Sequence, residues 1–481
     1  MTHTNARTVS RAPTGSLLGV LAALSLSMLL SSLGTSIANV GLPSMAQAFN
    51  ASFQGVQWIV LAYLLAITTL IVSAGRLGDI IGSRRLLLAG LTLFTVASVL
   101  CGLAGTLGQL VVARALQGVG AAVMMALTHA FIGDAVPPTH TARAMGLLGT
   151  MSAIGTAAGP SVGGLLIAWF SWRALFMLNV PLGFAALVLA YRYLPARSTA
   201  DDRYAGAPRP RFDVAGTVLL AITLAAYALA VTNGRGHLGV MNVLLLAVAV
   251  CGLTLLVHVE SIVASPLIQL AMFRDRVRRS SLAMNALVST VMMSTLVVGP
   301  FYLSRSLALS ATSVGFAMSV GPIVTAVVGV PSGRIADLIG VARMTLVGLV
   351  GIAAGSLLLA VLPASLGLPG YLGPIAIMTA GYGLFQTANN TVVMSGAGAA
   401  LRGVTSGLLN LSRNLGLITG AAVMGAVFAL ASRSDDLTRA PALAVRTGMQ
   451  GTYAVAALVI VVALMVGSRS HLVGTHLRRT I

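Results

Sequence analysis

Arg114 and Arg413 each fall inside a long apolar run, where a charge is costly enough to be kept only for a task. Gln117 stands three residues beyond Arg114, on the same face of any helix that carries both. Arg413 lies about 11 residues, or roughly 16 Å at 1.5 Å per residue, inside its run. The two guanidiniums are therefore candidates to hold an anionic or hydroxyl-rich compound. The acids do not match them: Asp79, Asp134, Asp201, Asp202, Asp213, Glu260, Asp275, Asp337, Asp435 and Asp436 all fall in loops or at the ends of apolar runs. A lipophilic dication would meet no buried carboxylate, so its lost hydration would go uncompensated, and neutral or anionic compounds suit the chain better. Neutral polar residues inside the runs are the remaining candidates to line a cavity. They are Asn39, Gln57, Trp58, Tyr63 and Gln117 in the first half, and Asn285, Gln386, Asn389, Asn390, Asn410 and Asn414 in the second. For proton traffic, Asp79, Asp134 and His129 form one group on a single side. Cys101 and Cys251 are too few and too far apart in sequence for a metal cluster or disulfide framework, and neither metal nor cofactor is expected.

The elements that must position these residues are membrane spans. Hydrophobic residues make up 57% of the chain and charged residues 8%, too little charge to cover a water-soluble globule. A spanning helix needs roughly 20 apolar residues. Hydropathy with glycine, proline and charge breaks gives spans near 17–40, 55–75, 86–104, 109–131, 144–168, 174–194, 213–232, 238–258, 281–303, 312–331, 345–363, 371–393, 403–428 and 449–468. All 29 basic residues are arginine. With the N-terminus in the cytoplasm, only Arg173, Arg235, Arg305, Arg433, Arg439 and Arg446 fall in outer loops, which is the positive-inside bias and puts both termini inside. The formal charge of +19 is thus spread over many short loops, not gathered into a nucleic-acid footprint. No phosphate-binding loop and no clustered Ser/His/Asp or metal-ligand spacing is present, which excludes an ATP-driven pump and membrane enzymology.

The segment GRLGDIIGSRR, Gly75–Arg85, returns as GRIADLIGVAR, Gly333–Arg343. Gly75, Arg76, Asp79, Ile81, Gly82 and Arg85 are matched by Gly333, Arg334, Asp337, Ile339, Gly340 and Arg343. Two related halves that carry one basic, glycine-bent hinge on the same face are expected of a transporter whose halves rock against each other. Asp79 is placed to accept hydrogen bonds from a neighbouring helix terminus, with Arg84 and Arg85 beside it. The segment resembles the loop between the second and third helices of the major facilitator superfamily, and the resemblance implies a gating role for Gly75, Asp79, Gly82, Arg84, Arg85, Gly333, Asp337, Gly340 and Arg343.

Three further stretches carry the resemblance. LVVARALQGVGAA, Leu110–Ala122, is similar to the fourth-helix pattern of an arginine followed by Q-G-x-G, which implies that Arg114 is tied to proton coupling. GTAAGPSVGG, Gly155–Gly164, matches the fifth-helix pattern that marks antiporters, with Gly155, Gly159, Pro160, Gly163 and Gly164 in place. LGTSIANVGLP, Leu33–Pro43, departs from its pattern: Gly34 stands where members carry a carboxylate able to bind a proton or a cationic drug, and Ser36 replaces threonine. On this reading Gly34→Asp should increase the handling of lipophilic cations. Six helices, an inserted pair and six helices resemble the 14-helix drug:proton antiporters of that superfamily. The implied fold is all-α: a cytoplasmic tail (1–16), a six-helix bundle (17–194), a linker (195–212), an inserted pair (213–258), a loop (259–280), a second bundle (281–468) and a tail (469–481). The implied protein is a monomeric inner-membrane exporter of small amphipathic compounds, driven by protons and surrounded by lipid. A metabolite exporter and a non-transporting sensor or lipid-handling protein are the alternatives.

Overall fold

The computed structural model describes residues 14–135, 138–194, 213–232, 239–263, 275–395, 402–433 and 440–477. Residues 1–13 of the expected tail, the linker 195–212 and residues 264–274 of the loop 259–280 lie outside them. Among the described residues every long element is a helix. In chain order these are α1 (Thr14–Val40), α2 (Phe53–Ile81), α3 (Ser83–Leu103), α4 (Leu107–Ala135), α5 (Pro138–Trp169), α6 (Asn179–Tyr193), α7 (Val214–Thr232), α8 (Val240–Ile262), α9 (Arg276–Phe301), α10 (Ala311–Ile339), α11 (Val341–Val361), α12 (Gly367–Ser395), α13 (Arg402–Thr419) and α14 (Ala442–Leu477). A π-helical turn, Tyr302–Ser306, prolongs α9, and another, Gly420–Met424, leads α13 into a last helical stretch, Gly425–Ser432.

Thirteen of the spans formed by these helices are long and apolar enough to cross a bilayer. The exception is α12, 29 residues long, because Tyr371, Thr379, Tyr382, Gln386 and Asn390 run down one side of it. Large apolar side chains such as Val327 (65% exposed) and Leu458 (66% exposed) face outward within their spans, as they should where lipid and not water surrounds the helices.

The duplicated segment is helical through most of its length. Gly75–Ile81 form the end of α2 and Gly333–Ile339 the end of α10. The chain breaks only at Gly82 and Gly340, whose φ angles of 101° and 83° suit glycine alone. Gly82 N–H still donates to Gly78 O at 2.9 Å, so the helix persists until a residue can turn out of it. Gly78 serves packing: a Cβ there would stand 2.5 Å from Leu127 Cδ2.

Duplication extends to the packing. In the first half α1 lies against α5 and α6, α2 against α4, and α3 against α4 and α6; α9 to α14 repeat these pairings in the same order. The α3–α4 contact closes on Gly120, where a Cβ would be 2.7 Å from Gly90 O and from Phe94 N. Its counterpart between α11 and α12 closes on Gly348, where a Cβ would be 2.7 Å from Gly381 O and from Phe385 N. Small residues let the backbones touch, which is how helices adhere in lipid.

The two halves meet at the end away from the duplicated segment, here the far end. Gly164 of α5 lies against α10, where a Cβ would be 2.6 Å from Ala311 O and 2.9 Å from Gly315 Cα, and Gly315 in turn abuts Pro160 O. Phe53 at the start of α2 packs edge-on against Phe301 (4.8 Å) and Phe428 (5.3 Å). At the opposite end, called the loop end, a Cβ at Gly75, Gly149, Gly329, Gly333 or Gly340 would touch nothing within 4 Å. The inserted pair attaches through α7, whose Thr217 hydroxyl bonds Ser73 of α2 at 2.7 Å, while α8 packs on α7 and turns its other faces outward.

Candidate functional site

Because the halves join at the far end and part at the loop end, a cavity of about 890 Å³ lies between them. The first half contributes Met28, His129, Ser152 and Thr156. The second half contributes most of the wall: Asn285, Met292 and Thr295 from α9, Met318 and Thr325 from α10, the stripe from Tyr371 to Asn390 on α12, and Asn410 and Arg413 from α13. No carboxylate is among the described lining residues.

The sequence candidates divide sharply between the halves. Asn285, Gln386, Asn390, Asn410, Arg413 and His129 line the cavity; Gly34, Asn39, Gln57, Trp58, Tyr63, Arg114, Gln117, Asn389 and Asn414 do not. The first-half group is engaged with the protein itself. Asn39 Nδ2 donates to Thr35 O (2.9 Å) and Ser36 O (3.3 Å) in its own helix. Gln57 Nε2 donates to Ala421 O at 3.0 Å, a carbonyl in the π turn after α13, and so bonds one half to the other. Trp58 packs against the far-end apolar cluster. Asn389 is buried on α12 away from the space, and Asn414 is buried on α13.

Arg114 corrects the expectation most directly. It is wholly buried, and three acceptors from three helices take its protons: Ile59 O for Nε (2.9 Å), Gln117 Oε1 for Nη1 (2.6 Å) and Gly34 O for Nη2 (3.1 Å). Its guanidinium lies 4.0 Å from the centre of the Tyr63 ring, a cation–π contact strengthened by exclusion of water. Gln117 Nε2 continues the chain to Ser98 Oγ at 2.7 Å, and Tyr63 Oη donates to Ser31 O at 2.9 Å. Arg114 is therefore a rivet between α1, α2 and α4, and has no face left for a substrate.

Gly34 belongs to the same junction. A Cβ there would stand 2.8 Å from Tyr63 Oη, 3.3 Å from its Cζ and 3.5 Å from Phe94 Cε2, so an aspartate would press on Tyr63 and Phe94 in a junction that does not line the cavity. Against the sequence-based expectation, Gly34→Asp should leave lipophilic-cation efflux no higher than wild type and lower the melting temperature of the purified protein. Adding Tyr63→Phe should recover part of that loss; a clear gain in cation efflux would contradict this geometry.

The fifth-helix glycines hold two different neighbours. Gly155, Gly159 and Gly163 face α1, where a Cβ at Gly155 would be 2.6 Å from Leu29 O, one at Gly159 would collide with Ser36, and one at Gly163 would be 2.7 Å from Val40 Cγ1. Ser36 Oγ bonds Gly155 O at 3.2 Å. Gly164 and Pro160 instead make the far-end crossing with α10. Of the hinge residues, Arg84 donates to Tyr191 O and lies over the Tyr191 ring, tying the α2–α3 junction to α6. Asp337 and Arg343 are exposed. Asp79 and Asp134 lie on α2 and α4, but their side chains are outside the described residues.

The tyrosines and threonines of the cavity were missed in the sequence although a signal existed. Tyr371, Thr379, Tyr382, Gln386 and Asn390 keep helical spacing on α12, and only the amides had been singled out.

Known proteins resemble the chain along most of its length. The Major Facilitator Superfamily profile matches residues 24–421. The "Multidrug resistance protein Stp" of Mycobacterium tuberculosis is 31% identical over 404 residues, covering 82% of this chain and 72% of that protein. The "Tetracenomycin C resistance and export protein" of Streptomyces glaucescens is 32% identical over 449 residues, covering 91% and 81%. Among solved structures, the peptide transporter POT in complex with sulfate superposes with a TM-score of 0.68 at 16% identity over 96% of each chain. Two like-folded halves around a central cavity, and this match across the chain, place it in the Major Facilitator Superfamily, as a multi-pass membrane transporter and not an enzyme.

Proposed function

We propose that the protein is a secondary active exporter of small amphipathic compounds, neutral or anionic, working by alternating access with protons as the counter-ion. The observation that carries this reading is the cavity between the halves, closed at the far end and open at the loop end, with no described carboxylate in its wall. The arginine distribution supports a cytoplasmic loop end in the plasma (inner) membrane, with both termini on that side, so the cavity faces the compartment from which an exporter loads. The names of two relatives, a multidrug resistance protein and a tetracenomycin C export protein, support the outward direction. The cavity lies within one chain, which supports a working monomer.

His129 is the proton carrier that the geometry favours over Arg114. Its Nδ1 lies 2.9 Å from Met125 O. A carbonyl only accepts, so Nδ1 bears the proton and Nε2 is left to take up a second one. Among the described lining residues it is the imidazole, a side chain that can take up and give back a proton, and the charged residue sharing that lining is Arg413. A proton entering from outside would add a second cation to the cavity and change its hold on cargo. Asp79 and Asp134, at the same end, complete the candidate route.

Everted vesicles with an imposed pH gradient test both parts. Dyes, antibiotics and small metabolites are offered in turn, and at least one should accumulate faster than in vesicles without the protein; if none does, the transport reading fails. For that compound, His129→Gln should lower the ratio of gradient-driven uptake to gradient-free exchange about fivefold or more. An unchanged ratio would remove His129 from the coupling route.

A further inference from the structure

Arg413 shares its residue type with Arg114 but not its circumstances. Its Nε is buried without a hydrogen-bond partner, and the side chain lines the cavity. Gln386 Oε1 and Asn285 Oδ1, in the same wall, are also buried without partners. Unpartnered polar groups are costly in a low-dielectric interior, and here they gather around one space on one half of the molecule.

The orientation of Arg413 is set from behind. Asn285 Nδ2 donates to Leu409 O (3.1 Å), Ser412 Oγ donates to Leu282 O (2.6 Å), and Thr290 Oγ1 donates to Gly416 O (3.1 Å). Gly416 admits Ala286 O so closely that no Cβ would fit between them. These bonds to α9 at residues 409, 412 and 416 fix the rotation of α13, and in that rotation Arg413 lines the cavity together with Leu409 and Leu417. A guanidinium stays charged at any physiological pH and presents paired N–H groups that match two oxygens of one acid.

We propose that Arg413 forms an anion-binding subsite, with Gln386 Oε1 and Asn285 Oδ1 in the same wall as acceptors for a hydroxyl or N–H of the same molecule, so that preferred cargo carries one acidic group, a carboxylate or sulfonate, on an apolar or aromatic body. Met292, Tyr382 and Leu417 receive that body; methionine and tyrosine adapt to flat, polarisable surfaces. The proposal rests on the export reading for the word cargo, but binding can be measured without transport.

The test uses two fluorescent probes with one skeleton, 1-anilinonaphthalene-8-sulfonate and its uncharged counterpart N-phenyl-1-naphthylamine. Their affinities are read as the fluorescence difference between nanodiscs with and without the full-length protein. Wild type should prefer the sulfonate, and Arg413→Gln should lower the sulfonate-to-neutral preference about tenfold or more. Arg413→Lys, which keeps the charge but loses the fork, should fall between them. A preference that moves less than threefold in Arg413→Gln, or an equal loss of both probes, overturns the subsite, as does a lysine variant no better than the glutamine one in a sample that stays monodisperse. If sulfonate binding depends on Arg413 while neither probe moves in vesicles, the export reading fails and the subsite stands. If the neutral probe is exported while the sulfonate is not bound, the reverse holds.

Discussion

Replacing Arg114 with leucine is expected to leave less than about a tenth of wild-type export and to lower the melting temperature of the purified protein by many degrees. The variant strips donors from Ile59 O, Gly34 O and Gln117 Oε1 at once. Gln117 Oε1 is left buried without this donor, at about 1–3 kcal/mol, the cross-helix bonds to Ile59 O and Gly34 O go with it, and the contact over Tyr63 is lost as well. Arg114→Lys should fail nearly as badly despite keeping its charge, because one ammonium on a flexible stem does not reach three acceptors held in a guanidinium's plane. Thermal unfolding of detergent-purified protein, read beside gradient-driven transport in vesicles, separates two roles for this residue. A leucine variant with wild-type melting and lost coupling would make Arg114 a coupling residue, as the family resemblance implies. Parallel loss of melting temperature and transport would support the riveting role that its hydrogen bonds indicate.

Gly315→Val should abolish export for a different reason, by wedging the far end open. Gly315 and Gly164 touch backbone to backbone at the crossing of α10 and α5, with Pro160 O directly over Gly315. A branched side chain has no rotamer that escapes this contact, so the helices must separate and the packing of Phe53 on Phe301 and Phe428 is pulled apart with them. Because alternating access needs each end to close in turn, transport should drop below about a tenth of wild type while the amount of folded protein in the membrane falls far less. The reporter is Tyr371→Cys at the far end of the cavity, in a chain with Cys101→Ser and Cys251→Ser. A membrane-impermeant maleimide applied from the far side should label it strongly in the Gly315→Val background and weakly without that substitution. Equal labelling in both would show that this crossing does not govern closure.

Much of the fold was legible because membrane spans are written in composition. Each expected span corresponds to a helix, even 371–393, where polar residues dilute the hydropathy of α12. The duplicated segment announced two halves, and their packing repeats in order. The hinge was misjudged as a loop since glycines and charges resemble a break, whereas backbone hydrogen bonding carries α2 and α10 onward until Gly82 and Gly340 turn to positive φ.

The cavity was half legible. Polar residues inside apolar runs can be counted in the sequence, but their partners lie on other helices. Arg114 and Arg413 look alike as text: each is a lone guanidinium in an apolar run, with an amide three residues on or one residue on. In space, α1 and α2 turn the carbonyls of Gly34 and Ile59 to Arg114, while α9 grips α13 and leaves Arg413 turned to the gap between the halves. The sequence by itself determined the spans, the charge asymmetry and the duplication, because these depend on burial in lipid and on local chain chemistry. Only the tertiary structure decided which buried polar groups satisfy one another and which are left facing the cavity, because that depends on the rotation of each helix, set by glycine contacts between segments distant in the chain.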